Sequence, residues 1–144
     1  MILFQRILPT LALIVLSAWG AAAQDQDAGP IRSSPAYSEI LLRKTELQAE
    51  IEAVVADYTE ANPRMLDMRF ELAALDRSLE RVFGVRPSET GKLTLALGKL
   101  IVRKAAMETD HARLLRANNK DHPDVKRTRR RLDIFDAAIK EVLK

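Results

Sequence analysis

The stretch ILLRKTELQAEIEAVVADYTEANPRMLDMRFELAALDRSLERVF, from Ile40 to Phe83, occurs a second time in altered form. It aligns without a gap with LIVRKAAMETDHARLLRANNKDHPDVKRTRRRLDIFDAAIKEVL, from Leu100 to Leu143, at an offset of 60 residues. Few residues are identical, but the apolar positions match throughout, and an Asn-Pro step meets a His-Pro step. This internal match predicts a duplicated structural unit, and chance similarity between two amphipathic helical segments is the alternative.

The apolar residues of both copies follow helical spacing, in steps of three, four or seven. In the first copy the seams comprise Ile40, Leu47, Ile51, Val54 and Tyr58, then Met65, Met68, Leu72, Leu75, Leu79 and Val82. In the second copy they comprise Leu93, Leu97, Leu100, Met107 and Leu114, then Val125, Leu132, Phe135, Ile139 and Val142. This spacing predicts amphipathic helices with coiled-coil packing. Strands have no support, because no alternating run extends beyond a few residues.

A proline divides each copy in two. Proline disfavours helical geometry in the residue before it and is tolerated in the first turn of a helix. We therefore predict helix breaks at Asn62-Pro63 and at His122-Pro123. Asn62 and Asp121 are candidate caps of the helices that follow. The polar run NNKDHP favours a tight turn in the second copy, whereas a kinked continuous helix stays an alternative at TEANP.

The predicted fold is all-α, with two related antiparallel helical hairpins that are coiled-coil-like and packed as an elongated bundle. The hairpins span residues 38–83 and 92–144. The linker between them, GVRPSETG at 84–91, interrupts the apolar pattern with two glycines and a proline. A leader at 24–37, rich in Pro, Ser and Asp, is predicted to be disordered.

The N-terminal segment has the three parts of a secretory signal peptide. Arg6 precedes an apolar run that ends at Trp19, and Ala21 and Ala23 satisfy an A-x-A-like cleavage site. We therefore predict that residues 1–23 are removed and that the protein is periplasmic or secreted. The apolar run is shorter than the roughly 20 residues that a membrane span needs. An uncleaved N-terminal anchor is the less favoured alternative.

Composition narrows the possible chemistry. The chain has no cysteine, which excludes thiol catalysis, thiolate metal sites and disulfides. Its charge is unevenly distributed: residues 24–98 carry 9 basic and 13 acidic side chains, whereas residues 99–144 carry 13 basic and 7 acidic ones. This complementarity favours association of the acidic part with the basic part, within one chain or between two chains.

The densest charge is the basic cluster, which comprises Lys126, Arg127, Arg129, Arg130 and Arg131. We interpret it mainly as a solvated helix face. It is also a candidate contact for an anionic partner, such as a polysaccharide or a lipid surface. Nucleic acid is not expected as a partner, because the chain is predicted to be exported and lacks aromatic stacking residues around the cluster.

Three polar residues lie at seam positions of the second copy, namely Lys104, His111 and Asn118. Polar seam residues typically fix helix register or oligomeric state, and pH sensing by His111 is an alternative. The two histidines, His111 and His122, are eleven residues apart, which is not the spacing of metal ligands on one helix. The sequence also contains no catalytic motif, so it predicts a protein without enzymatic activity, cofactor or metal.

Two segments resemble a known family: YTEANPRMLDMRFELAALDRSL, Tyr58 to Leu79, and LLRANNKDHPDVKRTRRRLDIFDAAI, Leu114 to Ile139. They look like the coiled-coil parts of bacterial polysaccharide chain-length determinant proteins, the polysaccharide co-polymerases. In that family an extended helix meets an Asn-Pro or His-Pro step, and a leucine-rich helix follows. The resemblance implies a periplasmic, oligomeric, non-catalytic scaffold that influences polymer length. The family's second membrane span has no counterpart here, so only the helix-turn-helix module is carried over.

These features predict an exported coiled-coil scaffold or adaptor that acts in the bacterial envelope through a protein partner or through self-association. The resemblance adds an implied link to polysaccharide export. The alternative is a periplasmic helical chaperone or stress-sensing protein that binds unfolded clients or a regulator through an apolar groove with basic flanks. The two hypotheses differ in oligomeric state and in whether the protein suppresses aggregation of a client.

Overall fold

The computed structural model describes residues 29–144. This part of the chain contains helices and no strand, with a helical turn at 29–32 ahead of the longer elements. The long helices are α1 (Pro35–Val54), α2 (Pro63–Phe83), α3 (Leu95–Ala117) and α4 (Pro123–Leu143), and a 3-10 helix (Pro87–Lys92) precedes α3. The predicted all-α class is confirmed for these residues. The predicted signal peptide and residues 24–28 of the leader lie outside them.

The caps of α2 and α4 come from the residues just before the two prolines. The side-chain oxygen of Asn62 accepts a hydrogen bond from the backbone N–H of Arg64 at 2.9 Å. In the same way, Nδ1 of His122 accepts a hydrogen bond from the backbone N–H of Asp124 at 3.3 Å. The expected cap at Asp121 is therefore wrong by one residue, because an imidazole nitrogen serves as the acceptor that a side-chain oxygen usually provides.

The loops that precede α2 and α4 match each other at an offset of 60 residues, and we call residues 60 positions apart counterparts. In both loops the residue before the proline donates its backbone N–H to a carbonyl three residues earlier. Asn62 donates to Thr59 at 2.9 Å, and His122 donates to Asn119 at 3.2 Å. The helices that follow are each 21 residues long. Because α1 ends at Val54, the kinked continuous helix considered for the first copy is wrong.

The central helix of the fold is α3. It contacts each of the other three long helices, and α1 also contacts α2. The main core lies between α1, α2 and α3, and its most completely buried side chains are Ile40, Leu47, Met65, Leu75, Val82, Leu93 and Leu97. The last helix, α4, packs mainly on α3 and buries Val125, Leu132 and Ile139. Of these three residues only Ile139 belongs to the main core.

In α2 the residues of the predicted seam are buried except for half-buried Leu72, whereas the seam predicted for α3 is buried only in part. On α3, Leu97 is buried as predicted, whereas Met107 and Leu114 are half-buried. A second stripe of α3 is buried as well, and it comprises Gly98, Ile101, Ala105 and Thr109. Apolar periodicity detects the faces of a helix but does not assign a neighbour to each face. Tyr58, expected in the seam before the first break, lies in the loop and is exposed.

The disorder predicted for the leader is wrong from residue 29 onward. Ser34 caps α1, since its hydroxyl oxygen accepts a hydrogen bond from the backbone N–H of Tyr37 at 3.2 Å. Ile31 and Ala36 are buried, and Ala36 donates its backbone N–H to the carbonyl of Leu93 at 3.1 Å. The Ser-Pro step marks a helix start rather than a flexible segment.

The linker at 84–91 contains most of the 3-10 helix. Arg86 donates a hydrogen bond to the carboxylate of Glu89 at 2.9 Å, and Lys92 donates to the same carboxylate at 2.8 Å. These two cations, Arg86 more than Lys92, lower the pKa of Glu89 to about 2. Nζ of Lys92 also lies 3.4 Å from the carbonyl oxygen of Leu143. The linker is therefore tied to the C-terminal end of α4.

Candidate binding groove

An open groove of about 490 Å³ lies between α3 and α4. We call it the α3–α4 groove, and it is lined by Arg103, Ala106, Met107, Asp110, Arg113, Leu114, Thr128, Arg131 and Phe135. Apolar side chains from both helices meet three arginines in this groove. Such a combination suits an amphipathic segment that carries acidic residues, because the apolar surface binds its buried face and the arginines bind its carboxylates.

At the corresponding positions of α1 and α2, one arginine is surrounded by three carboxylates. Arg43, the counterpart of Arg103, donates from Nε to Glu71 at 2.8 Å and from a terminal nitrogen to the second carboxylate oxygen at 3.2 Å. The same guanidinium lies 3.2 Å from Glu46 and 3.9 Å from Glu50. The hydrogen bond to Glu71, reinforced by the other two carboxylates, raises the pKa of Arg43. This cation is therefore neutralised within the chain.

Most of these carboxylates have no acidic counterpart in the α3–α4 groove. The counterparts of the three carboxylates are Ala106, Asp110 and Arg131. Asp110 is engaged by Arg113 of the same helix. Within residues 29–144, neither Arg103 nor Arg131 has an ion-pair partner. Two guanidinium groups with free hydrogen-bond donors therefore flank an apolar surface.

Beside the groove, Ile134 lies one turn from Arg131 on α4 and is 68% exposed. Its counterpart, Ala74, is 2% exposed. Ala74 shares a face of α2 with Asp67 and Arg77, and both of these form ion pairs with side chains of α3. The face of α2 that α3 covers therefore has an uncovered counterpart on α4.

One ion pair between neighbouring helices is common to both pairs of helices. Lys44 of α1 pairs with Asp76 of α2, and their counterparts, Lys104 and Asp136, pair at 3.1 Å. Lys104 is 7% exposed and also donates to Glu108 at 2.7 Å. A buried ammonium group that contacts two carboxylates strongly disfavours a slip of one helix along the other, because a slip would leave the charge unpaired. This geometry fits the register role expected of Lys104.

The other two polar seam residues lie outside the groove. Asn118 is the C-cap residue of α3, and its side-chain amide donates to the carbonyl of Leu114 at 3.1 Å. His111 is half-buried beside α4, where it lines a second hollow together with Val125 and Arg129. Its Nδ1 has no hydrogen-bond partner in the described part of the chain. Asn118 thus ends a helix, and His111 faces α4.

The basic cluster is mostly paired within its own neighbourhood. Lys126, Arg127 and Arg129 each pair with an aspartate of α4 or of the loop before it, at 3.0, 3.2 and 3.2 Å respectively. Arg130 is exposed and has no ion pair among the described residues. Arg131 is the one member that lines the α3–α4 groove. Of the five residues of the basic cluster, the structure therefore places only Arg131 in the groove.

Arg103 and Arg113 were not singled out from the sequence, although both line the groove. A signal for Arg103 was present in the alignment at an offset of 60 residues. It places Ala106 and Arg131 opposite two of the three carboxylates that surround Arg43. A cation that is present at both counterpart positions, but lacks acidic neighbours at one of them, is a candidate contact for an external anion.

Among residues 29–144, no group of three or more His, Asp or Glu side chains is arranged to hold a metal ion, and no helix is long and apolar enough to span a membrane. Comparison of the chain with models of protein families, with curated proteins and with solved structures finds no match. Inferences about function therefore rest on the residues of this chain.

Proposed function

We propose that the chain is an exported, non-enzymatic helical scaffold or adaptor that acts in the bacterial envelope through protein contacts. The observation that carries the proposal is the α3–α4 groove, together with the exposed Ile134 one turn from its Arg131. Apolar side chains of two helices that are left half-buried beside two arginines without ion-pair partners are typical of an interaction surface. Burial of Ile134 by a partner would stabilise the complex through the hydrophobic effect.

The proposal includes a duplication, in which α1 with α2 and α3 with α4 form two related antiparallel hairpins. Three shared features support it: the loop conformation before each proline, the helix length of 21 residues and the Lys–Asp pair between neighbouring helices. In repeat proteins each unit covers a face of its neighbour, and terminal units keep a face that only a cap or a partner can cover.

The charge of the groove favours an acidic partner. Arg103 and Arg131 are exposed, so a carboxylate reaches them without displacing an existing ion pair. Complementary charge at a binding surface raises the association rate and selects the partner, while apolar contacts supply most of the affinity. The proposed partner surface is therefore apolar in its centre and acidic at its rim.

Export is a separate part of the proposal and rests on the N-terminal segment that ends at Ala23. Mass spectrometry of the periplasmic fraction should find a mature chain whose first residue is Gln24. Recovery of the chain in the cytoplasm, with its signal segment intact, would contradict export without bearing on the groove.

The test of the groove is crosslinking in intact cells. A photo-crosslinking amino acid placed at Ile134 should yield one or a few discrete protein adducts, and the same amino acid at Leu66 of α2, which is also exposed, should not. Mass spectrometry of the adduct identifies the partner. Failure to obtain any protein adduct at position 134 would sink the scaffold proposal. A purified monomer that suppresses aggregation of a denatured client would instead support the chaperone hypothesis.

A further inference from the structure

One exposed stripe of α1 corresponds to the face of α3 that is buried. On α3 the buried stripe comprises Gly98, Ile101, Ala105 and Thr109. The counterparts on α1 are Ser38, Leu41, Thr45 and Ala49, and all four are exposed. Residues spaced by three or four positions share one face of a helix. The outer face of α1 is therefore built like the face through which α3 packs on its neighbours.

That face of α3 is closely fitted to α1. A Cβ atom added to Gly98 would lie 2.8 Å from Cβ of Glu39 and 2.9 Å from Cα of Ala36. The first pair of helices thus receives α3 at close range, and Ala74 on α2 is buried on the side that faces α3. The counterpart of this receiving surface is the α3–α4 groove with Ile134, which no described helix covers.

The ends of these two surfaces carry opposite charges. Inside the chain, Asp67 of α2 pairs with Arg113 and Arg116 of α3, so the receiving side is acidic and the inserted helix is basic. At the open surface one charge is inverted and the other is absent. The counterpart of Asp67 is Arg127, and the counterparts of the two arginines are alanines of the α1 end.

These alanines, Ala53 and Ala56, are each adjacent to a carboxylate, namely Glu52 and Asp57 respectively. All four residues are exposed. The end of α1 and the loop after it are therefore acidic, whereas the counterpart of Asp67 on α4 is the basic Arg127. Such a reversal favours α1 over α3 as the helix that the groove accepts, because α3 would bring arginines next to Arg127.

We propose that the α3–α4 groove is occupied by the outer face of α1 from a second copy of this chain, so that copies associate head to tail. This inference rests on the proposed scaffold function and identifies the partner of its groove. In this arrangement the junction between copies repeats the junction that α3 makes with α1 and α2 inside one copy. Ile134 is buried in it beneath Leu41 and the small residues beside it.

The two surfaces in this contact differ, so the assembly is heterologous. A heterologous contact leaves one free surface at each end of a dimer, and it therefore propagates into an open chain or closes into a ring. The mature wild-type protein should accordingly form species larger than a dimer. Their mean mass should rise with protein concentration unless a ring closes.

Two single variants test the contact, one on each surface. Leu41→Glu places a carboxylate on the outer face of α1, and Ile134→Glu places one on α4 beside the groove. Both side chains are exposed in a single chain, at 42% and 68%, so folding should be preserved, and far-UV circular dichroism checks this. Each variant alone should be monomeric in sedimentation velocity, with the dissociation constant raised roughly tenfold or more. Leu66→Glu, the matched control, should assemble like the wild type.

Mixing the two variants gives the sharper result. Each retains the surface that the other has lost, so an equimolar mixture should form a one-to-one dimer that cannot grow further. The double variant should stay monomeric and should not join the mixture. Arg127→Glu reverses a charge of α4 beside the groove and leaves the apolar contact unchanged, and it should weaken assembly more at low salt than at high salt.

Several outcomes would overturn head-to-tail association. They are a wild-type protein that stays monomeric at the highest soluble concentration, an Ile134→Glu variant that assembles normally, or two monomeric variants that do not combine. The scaffold proposal is judged separately by crosslinking at position 134. An adduct with a different protein, without any adduct of two copies, would retain the scaffold and reject self-association, whereas absence of every adduct would reject both.

Discussion

The pair formed by α1 and α2 and the pair formed by α3 and α4 share their local structure and differ in what covers them. Both have the same loop before a proline, a second helix of 21 residues and a Lys–Asp ion pair between neighbouring helices. The first pair receives α3, which completes the main core, whereas no described helix plays that role for the second pair. The same pattern of sequence therefore leads to a covered surface in one place and an open surface in the other.

At two pairs of counterparts the residue type matches this difference in environment. The carboxylate of Glu71 neutralises Arg43 in the first pair, and an arginine replaces it in the second. A small alanine lies beneath α3 at position 74, and an isoleucine lies exposed at position 134. The covered position has the small residue that close helix packing requires, and the open position has a larger apolar one. The predictions below use counterparts as matched controls.

The largest difference in the free energy of unfolding is expected between the variants Leu75→Ala and Phe135→Ala. Leu75 is completely buried, so its truncation should lower the free energy of unfolding by about 2–5 kcal/mol. Phe135 is half-buried at the groove, so it should lose only about 1 kcal/mol. Urea unfolding of both variants at low protein concentration measures this. Equal losses would show that the second pair has a covering that the described residues lack.

The next effect concerns Gly98 and its counterpart Ser38. Gly98→Ala inserts a methyl group 2.8 Å from a side-chain carbon and 2.9 Å from a backbone carbon. This clash should outweigh the better helix propensity of alanine and destabilise the protein by about 1–3 kcal/mol. Ser38→Ala is exposed in a single chain and should change stability by less than about 0.5 kcal/mol. A neutral Gly98→Ala in thermal unfolding would contradict the close approach of α3 to α1.

Smaller changes in stability, of opposite sign, are expected from substitutions at Glu71 and Arg131. Glu71→Gln weakens the charge-assisted hydrogen bonds from Arg43 and should lower stability by about 1–2 kcal/mol. Arg131→Glu supplies Arg103 with the carboxylate that it lacks, so it should raise the stability of the single chain by up to about 1 kcal/mol. Chemical denaturation at low and high salt checks both, with Arg131→Gln as a neutral control. Destabilisation by Arg131→Glu would show that Arg103 and Arg131 do not face each other.

The smallest effect is a pH dependence in the linker. The folded state holds the pKa of Glu89 at about 2, below its ordinary value of 4.5. The resulting stabilisation is fully present above pH 4.5 and is lost as the pH falls toward 2. Glu89→Gln should therefore reduce the acid-induced decline in melting temperature across this range and leave the alkaline side unchanged. Identical profiles for the variant and the wild type would show that the bonds to Arg86 and Lys92 do not persist in solution.

Much of the helical architecture could be predicted from residues that act locally. Pro63 and Pro123 begin helices because their rings exclude helical geometry in the residue before them and fit the first turn. Most of the seam of α2 could be read from spacing, because five of its six predicted positions are buried, whereas the burial of Glu71, Ala74 and Ser78 beside it was not predicted. The prediction of a disordered leader is wrong because serine and proline, here Ser34 and Pro35, are common both in flexible segments and at helix starts. Only contact with Leu93 and burial of Ala36 distinguish the two.

The candidate groove could be predicted only in part. The sequence identifies Arg131 as one of five neighbouring cations, but no feature of the adjacent residues distinguishes it from Arg130. The difference arises because α4 packs on α3, which directs Arg131 toward Arg103 and leaves its neighbour outside the groove. Whether a cation keeps a free donor depends on residues far away in the chain, such as the carboxylate at position 71 that lies 28 residues from Arg43.

Helix content and helix starts are thus properties of neighbouring residues, since caps, prolines and apolar spacing act within one or two turns. The choice of partner for each face of α3 is a tertiary property. α3 has two faces that can pack, and the free energy of burying one face depends on the shape and charge of the helix opposite. Gly98 permits close contact with α1, while Lys104 is held by Asp136 of α4. These contacts place α3 in the core and leave the groove open.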